Sequence, residues 1–249
     1  MSGGARRWTN SMSGGEVLSP SAMELLESLP PEYVSAVTEA LKSLDLSPQD
    51  PLDDDHLTQI FREVSRSLGK ARAYQAFHEA GVVRGAIRVK AFVVGDAAVG
   101  KTTFCVKLAT GKFKEEYKMT VGVDFYTLDL VSDGRLVKLV LWDLAGQERF
   151  GLVRPNFYAG SSGGFIAFAL DRPETLRSVP GWVREMEENV GGRVPAVLIG
   201  TKLDLSPSLP EASNVAEELG LLGYVPVSSK TGENLMSAVR MLISACVNI

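Results

Sequence analysis

The sequence predicts an α/β fold, a mostly parallel sheet with helices on both faces, preceded by a small all-helical extension. Three observations predict it. After Gly85, short apolar runs alternate with helical stretches, the order that builds parallel strands joined by crossover helices. Before Gly85, apolar residues recur at steps of three and four, the period of helices with one buried face. One of the apolar runs also passes directly into a glycine-rich loop that opens a helix.

The elements follow in order. Residues 1–19 are rich in Gly and Ser, a composition expected to be disordered. Residues 20–81 form the helical extension. Leu25, Leu26 and Leu29 make a short apolar patch ended by Pro30-Pro31, and Tyr33, Val37, Leu41 and Leu44 mark a second helix. Ser47-Pro48 to Pro51 is a break. One long helix is expected from Asp53 to Ala80, with three aspartates suiting its positive end, the stripe Leu57, Ile60, Phe61, Val64, Leu68, Ala71, and Gly81 as C-cap. A unit of this size has little core of its own. Only Val82 to Ala86 joins it to the first strand, so it is expected to dock near that strand's start. The contact would be a passive cap, a partner-binding arm or, if it reached 113–123 or 144–160, a regulator.

Residues 86–249 form the α/β domain. Ile87–Val94 becomes continuously apolar, as a central buried strand should. Strands near 124–131 and 136–142 are joined by Ser132-Asp133-Gly134-Arg135, a strong hairpin turn. Gly164–Leu170 and Val194–Ile199 read as interior strands, with helices near 101–110, 180–190, 211–219 and 233–247. The net charge of −4 resides entirely in the first 85 residues, which carry 8 Lys+Arg and 12 Asp+Glu, so nothing points to nucleic acid or a polybasic membrane contact. Two cysteines, Cys105 and Cys246, make no disulfide framework and suit a reducing cytoplasm. No apolar run reaches the length of a membrane span.

Gly95-Asp96-Ala97-Ala98-Val99-Gly100-Lys101-Thr102 fits G-x-x-x-x-G-K-[ST] and lies between a strand and a helix that continues through Thr103. Such a loop aims backbone N–H groups at phosphate oxygens, with Gly95 and Gly100 permitting the path and the helix N-terminus adding positive partial charge. Lys101 would bridge the β- and γ-phosphates and the Thr102 hydroxyl would ligate Mg²⁺. The loop does not say which nucleotide is bound, and a chance glycine-rich turn is the plain alternative.

Trp142-Asp-Leu-Ala-Gly-Gln-Glu-Arg-Phe150 resembles the W-D-T-A-G-Q-E-R-F segment of Rab proteins, with Leu144 in place of Thr. Tyr117 to Phe125 resembles the Rab effector segment, and Thr201-Lys-Leu-Asp204 and Ser228-Ser-Lys230 resemble the base-reading N-K-x-D and S-A-K segments, the first in the T-K-x-D form of Rho proteins. On these motifs the chain resembles a small GTPase of the Ras superfamily, closest to the Rab and Rho branches. The resemblance implies a six-stranded P-loop GTPase fold over 86–249 and gives no match for 1–85. It implies that Asp143 holds Mg²⁺ through water, that Thr120 joins the metal shell when a γ-phosphate is present, that the Gly146 amide meets that phosphate and that Gln147 orients the attacking water. Phe113 would lie against guanine, Lys202 and Lys230 over the ring, the Ser229 amide at O6, and Ser228 would support Asp204. The Asp204 carboxylate accepts from guanine N1–H and N2–H₂, a donor pair adenine lacks.

The sequence departs from the family pattern in places. Ala97 and Ala98 stand where Ras has glycines, and the Ala97 methyl crowds the approach of a partner's arginine finger. Thr201 replaces an Asn that ties loops together. Cys246-Val-Asn-Ile249 nominally fits C-a-a-X, but Asn suits that pattern poorly and Cys246 falls within the last helical pattern. A half-buried helix thiol is expected instead of a lipid anchor. His56 and His78 have no metal-ligand pattern around them.

The reading is a guanine-nucleotide switch that binds GTP and GDP with Mg²⁺, hydrolyses GTP slowly, and signals to effectors under an exchange factor and a GAP. It would be cytoplasmic, reaching a membrane only through a partner. A nucleotide-loaded scaffold that scarcely cycles is the runner-up; Asp204 and Ser228 disfavour a P-loop ATPase.

Overall fold

The computed structural model describes residues 21–113 and 120–247. The sequence expectation of disorder for 1–19 falls outside the described residues, as does part of the effector-like segment. By its contacts the chain divides into two units: residues 1–87 together with 129–138, and residues 88–128 together with 139–249.

The first unit contains α1 (Ala22–Ser28), α2 (Pro31–Ser43), α3 (Asp54–Leu68) and α4 (Lys70–Glu79). A capping box starts α1: the Glu24 N–H donates to Ser21 Oγ at 3.2 Å, and the Ser21 N–H donates to the Glu24 carboxylate at 2.8 Å. The Asp53 side chain caps α3 by accepting the His56 N–H at 2.8 Å. The single helix expected from 53 to 80 is instead two helices, broken at Gly69, where φ is 83°. Glycine enters that region without the steric cost of a Cβ, so the chain turns there instead of continuing the helix. The turn lets Phe61 of α3 and Phe77 of α4 meet edge to face, centroids 5.3 Å apart. At the end of α4 the Gly81 N–H donates to His78 O and the Val82 N–H to Phe77 O, closing a Schellman motif around the expected C-cap glycine.

Residues 129–138 belong to this unit because they complete its core. Val131 is buried among Phe61, Ile60, Val64 and Phe77, with Leu136 packed alongside. The Val131 N–H donates to Thr58 Oγ1 at 2.9 Å, the Asp133 N–H to the Asp54 carboxylate at 3.1 Å, and Lys70 pairs with Asp129.

The strands are β1 (Ala86–Gly95), β2 (Val123–Ser132), β3 (Arg135–Leu144), β4 (Gly163–Ala169), β5 (Ala196–Thr201) and β6 (Tyr224–Pro226). They form one six-stranded sheet in the order β2-β3-β1-β4-β5-β6, with β1, β4, β5 and β6 paired in parallel. Asp133 and Gly134 at the β2–β3 turn both have positive φ, 49° and 67°, the type I′ geometry expected of Asp-Gly. Helices α5 (Lys101–Thr110), α6 (Pro155–Tyr158), α7 (Val179–Val190), α8 (Glu211–Glu218) and α9 (Leu235–Val247) complete the second unit. Strand β6 escaped the sequence reading because three residues are too few to show a period. In α9, Cys246 is half-buried and its thiol donates to the Ser162 carbonyl at 3.3 Å. Among the described residues no helix is long and apolar enough to cross a membrane.

Phe61→Ala removes the ring that joins α3, α4 and the hairpin, and should destabilise the first unit by about 3–5 kcal/mol. Hydrogen exchange checks it: amides of 54–83 and of 129–138 should lose protection together. A hairpin that keeps full protection while the helices lose theirs would refute the shared core.

Candidate functional site

The site is built where strand ends meet the loop 95–100. Gly95 closes β1 with φ 139°, and a Cβ there would lie 2.1 Å from the Ala167 carbonyl on β4, so only glycine fits. Ala98 and Gly100 follow at φ 59° and 97°, turning the backbone into α5. An alanine in the left-handed region costs about 1–2 kcal/mol, so the surrounding contacts must hold the loop in shape. Lys101 is buried, and its Nζ donates to the Gly95 and Asp96 carbonyls at 2.8 Å each, folding the side chain back over the loop. Burial pulls its pKa down to about 8, partly opposed by the charges of Asp143 and Asp96.

Three oxygen-bearing side chains, those of Thr102, Thr120 and Asp143, converge beside Lys101. In β3, Val137, Leu139 and Leu141 are buried at alternate positions, and Asp143 continues that inward face. Its Oδ2 accepts from Thr102 Oγ1 at 2.6 Å and Thr120 Oγ1 at 3.4 Å, and the two hydroxyls lie 2.6 Å apart. Its Oδ1, also buried, has no hydrogen-bond partner among the described residues. Burial lifts the Asp143 pKa to about 6, against the lowering effects of Thr102 and Lys101. One carboxylate and two hydroxyls from three separate segments are a hard-oxygen donor set that fits Mg²⁺, and the orphaned Oδ1 is what a cation would satisfy.

Gly146 sits hard against the loop: a Cβ there would lie 2.2 Å from the Gly95 carbonyl. Gln147 is half-buried beside it. Phe113 is half-buried after α5, and the neighbouring residues 114–119 lie outside the described residues.

The second half of the site lies on the loops after β5 and β6. Ser228, fully buried, donates from Oγ to Asp204 Oδ1 at 2.6 Å, the support the sequence resemblance implies. Ser229 is buried and Lys230 exposed. Lys202, at φ 64°, pairs with Asp171 at 2.9 Å. Thr201, standing where an Asn is usual, still ties the loops: its hydroxyl lies against the Val99 carbonyl and 3.1 Å from that of Phe168.

Several contacts were not visible in the sequence. The Asp96 carboxylate accepts from Ser178 Oγ and Trp182 Nε1, both at 2.8 Å, which fastens the loop to α7. Arg172 donates to the Ala97 carbonyl at 3.0 Å. Phe125 meets Trp142 edge to face at 4.5 Å, and Val121, Phe125, Leu152 and Val153 are exposed. The only sequence signal for this last group is a set of large apolar residues in segments that are otherwise polar.

The sequence matches the model of the Ras family over residues 90–248. It is 36% identical to the Ras-related protein Rab-19 of Homo sapiens over 150 residues, 59% of this chain and 69% of that protein. It is 36% identical over 167 residues to Rab-7L1 of Rattus norvegicus, 64% of this chain and 82% of the relative. To the GTP-binding protein YPT53 of Saccharomyces cerevisiae it is 31% identical over 166 residues, 63% and 75% of the two chains.

Thr201→Val keeps the shape of the side chain and deletes the donor that the Val99 and Phe168 carbonyls share. Thermal and denaturant unfolding should show a loss of about 1–3 kcal/mol, with Thr201→Ser retaining most of the stability. Equal stability of Thr201→Val and the parent would show that the hydroxyl does not tie these loops.

Proposed function

The chain belongs to the Ras family of small GTPases, and we propose that it is a switch binding GTP and GDP with Mg²⁺ and hydrolysing GTP slowly. The observation that carries this reading is the meeting of Thr102, Thr120 and Asp143 beside Lys101, with one buried Asp143 oxygen unsatisfied. In this reading residues 95–103 cradle the phosphates. The Lys101 ammonium, buried and held over the loop, would exchange its carbonyl partners for phosphate oxygens, where its charge is little screened by water. Thr102 and Thr120 would hold Mg²⁺ directly and Asp143 through water. The metal supplies neutralisation of charge on the transferring phosphoryl group. Gly146 presents its amide to the γ-phosphate, and Gln147 orients the attacking water.

Guanine would be read by Asp204, whose carboxylate Ser228 already fixes from one side. Lys202 and Lys230 would cover the ring and Phe113 its edge. The exposed apolar residues Val121, Phe125, Leu152 and Val153 flank the segments that respond to the γ-phosphate, which makes them the natural footing for effectors. An exchange factor would act on the same segments. Ala97 stands where Ras has a glycine, so stimulation by a GAP of the Ras type is not part of the proposal. Action in the cytoplasm, with any membrane contact made through a partner, completes the reading.

Competition binding with GTP, XTP and ATP tests base reading. Guanine nucleotides should win over ATP by about 10⁴-fold, because an adenine ring would leave the Asp204 carboxylate unpaired, and Asp204→Asn should move the preference toward XTP. Tighter binding of ATP than GTP by the parent would refute the reading. Chelating Mg²⁺ should accelerate nucleotide release, and Gln147→Leu should slow single-turnover hydrolysis by about 10–100-fold without loss of GTP binding. A protein that binds GTP but shows no single-turnover hydrolysis would be a loaded scaffold, and turnover that ignores Gln147 would assign the water-positioning role to another group.

A further inference from the structure

We propose that Arg154 is a positioning residue for GTP hydrolysis, acting through the backbone of residues 145–147; this rests on the GTPase reading above. Arg154 is nearly buried and uses both sides of its guanidinium. One side forms a fork with Glu185 of α7, Nε to Oε1 at 2.8 Å and Nη2 to Oε2 at 2.7 Å. The other side donates from Nη1 to the Gln147 carbonyl at 2.9 Å and the Ala145 carbonyl at 3.2 Å. The Tyr158 hydroxyl donates to Glu185 Oε1 at 2.9 Å, and the guanidinium lies over the Trp182 ring, 4.7 Å from its centroid.

The two carbonyls flank Gly146, and that placement gives the arginine its leverage. A peptide unit is planar, so fixing the Ala145 carbonyl fixes the direction of the Gly146 N–H on the opposite side of the same plane. Fixing the Gln147 carbonyl restricts ψ of Gln147 and with it the direction from which its side chain leaves the backbone. Arg154 therefore orients the two groups that face the γ-phosphate and the attacking water, while touching neither.

Helix α7 refers this orientation to the phosphate loop. Ser178 is the residue just before α7, and Trp182 and Glu185, three apart within it, lie on one face of the helix close to that end. Ser178 and Trp182 hold the Asp96 carboxylate, and Glu185 holds Arg154. One helical face thus spaces the loop from the Gly146–Gln147 segment. An ion pair of this kind is weak evidence of stability, since apolar residues of like volume often serve the fold as well. What apolar residues cannot do is grip two carbonyls and a carboxylate in fixed directions, and a lysine lacks the planar fork for it.

The test compares the full-length parent, Arg154→Lys, Glu185→Gln, Gln147→Leu and the double variant Arg154→Lys/Gln147→Leu. GDP affinity and single-turnover hydrolysis of pre-loaded GTP are measured for each. Arg154→Lys should slow hydrolysis by about 10–100-fold, the scale of losses caused by misplacing a catalytic group, while GDP affinity stays within about threefold. Glu185→Gln should shift hydrolysis in the same direction by a smaller factor, which keeps the test open if Arg154→Lys folds poorly. Because Arg154 acts through Gln147, its substitution should cost clearly less in the Gln147→Leu background than in the parent. Full additivity of the two losses would overturn the proposal. So would an unchanged hydrolysis rate in both single variants, or a melting-temperature loss with no change in rate. A parent that neither binds guanine nucleotides nor hydrolyses GTP would instead bring down the reading of the site itself, which keeps the two failures apart.

Discussion

The site depends on one buried carboxylate. Asp143 occupies an inward position of β3, in line with Val137, Leu139 and Leu141, where the alternation of the strand calls for an apolar residue. Placing a charge there is costly unless it is paired, and burial lifts the pKa of the group in keeping with that cost. Part of the compensation comes from the Thr102 and Thr120 hydroxyls and part from the neighbouring Lys101 charge. Lys101 and Thr102 come from one stretch of chain and Thr120 from another, so the carboxylate gathers the start of α5, the segment before β2 and the end of β3 at one point. One oxygen at that point has no hydrogen-bond partner among the described residues, and this is what supports reading the arrangement as a candidate cation site.

The same economy of contact governs the surrounding loops. Gly95 and Gly146 are pressed so close to backbone carbonyls that neither position has room for a methyl group. Close backbone approach transmits position without relying on flexible side chains, and it suits a site whose ligands are amide N–H groups. The loop is anchored from outside as well: the Asp96 carboxylate by Ser178 and Trp182, the Ala97 carbonyl by Arg172, the Val99 carbonyl by Thr201. These anchors hold Ala98 in a conformation that a lone alanine would leave.

How much of this was legible follows from the range of each interaction in the sequence. The candidate loop 95–100, the Asp143–Gln147 segment and the Asp204 segment were legible as candidates because each is packed into a run of a few residues between recognisable elements. The Asp-Gly turn and the Gly81 cap were legible for the same local reason. Gly69 was missed as a helix break because the apolar stripe continues through it, and a tolerated glycine looks the same in sequence as one that turns the chain. The Arg154–Glu185 fork and the Trp182–Asp96 bond join residues 31 and 86 positions apart, and neither partner carries a local signature. Thr201 shows the opposite limit: its departure from Asn was visible, but its hydroxyl's contacts with Val99 and Phe168 were not.

The β2–β3 hairpin carries the argument beyond the site. Asp129 and Val131 share one face of β2, and that face supplies the Lys70 ion pair and the core contact with Phe61, Ile60 and Val64. A one-residue slip of β2 would turn this face over, expose Val131, and break the bonds that Thr58 and Asp54 make to the backbone of Val131 and Asp133. The four helices therefore fix the register of the hairpin at its turn. Thr120 lies three residues before β2 begins and Asp143 is the next-to-last residue of β3, so the chain positions of both ligands are counted from a hairpin whose register is locked. Sliding the strands would cost the first unit its core, so the register at the turn is fixed by packing as well as by the Asp-Gly turn itself.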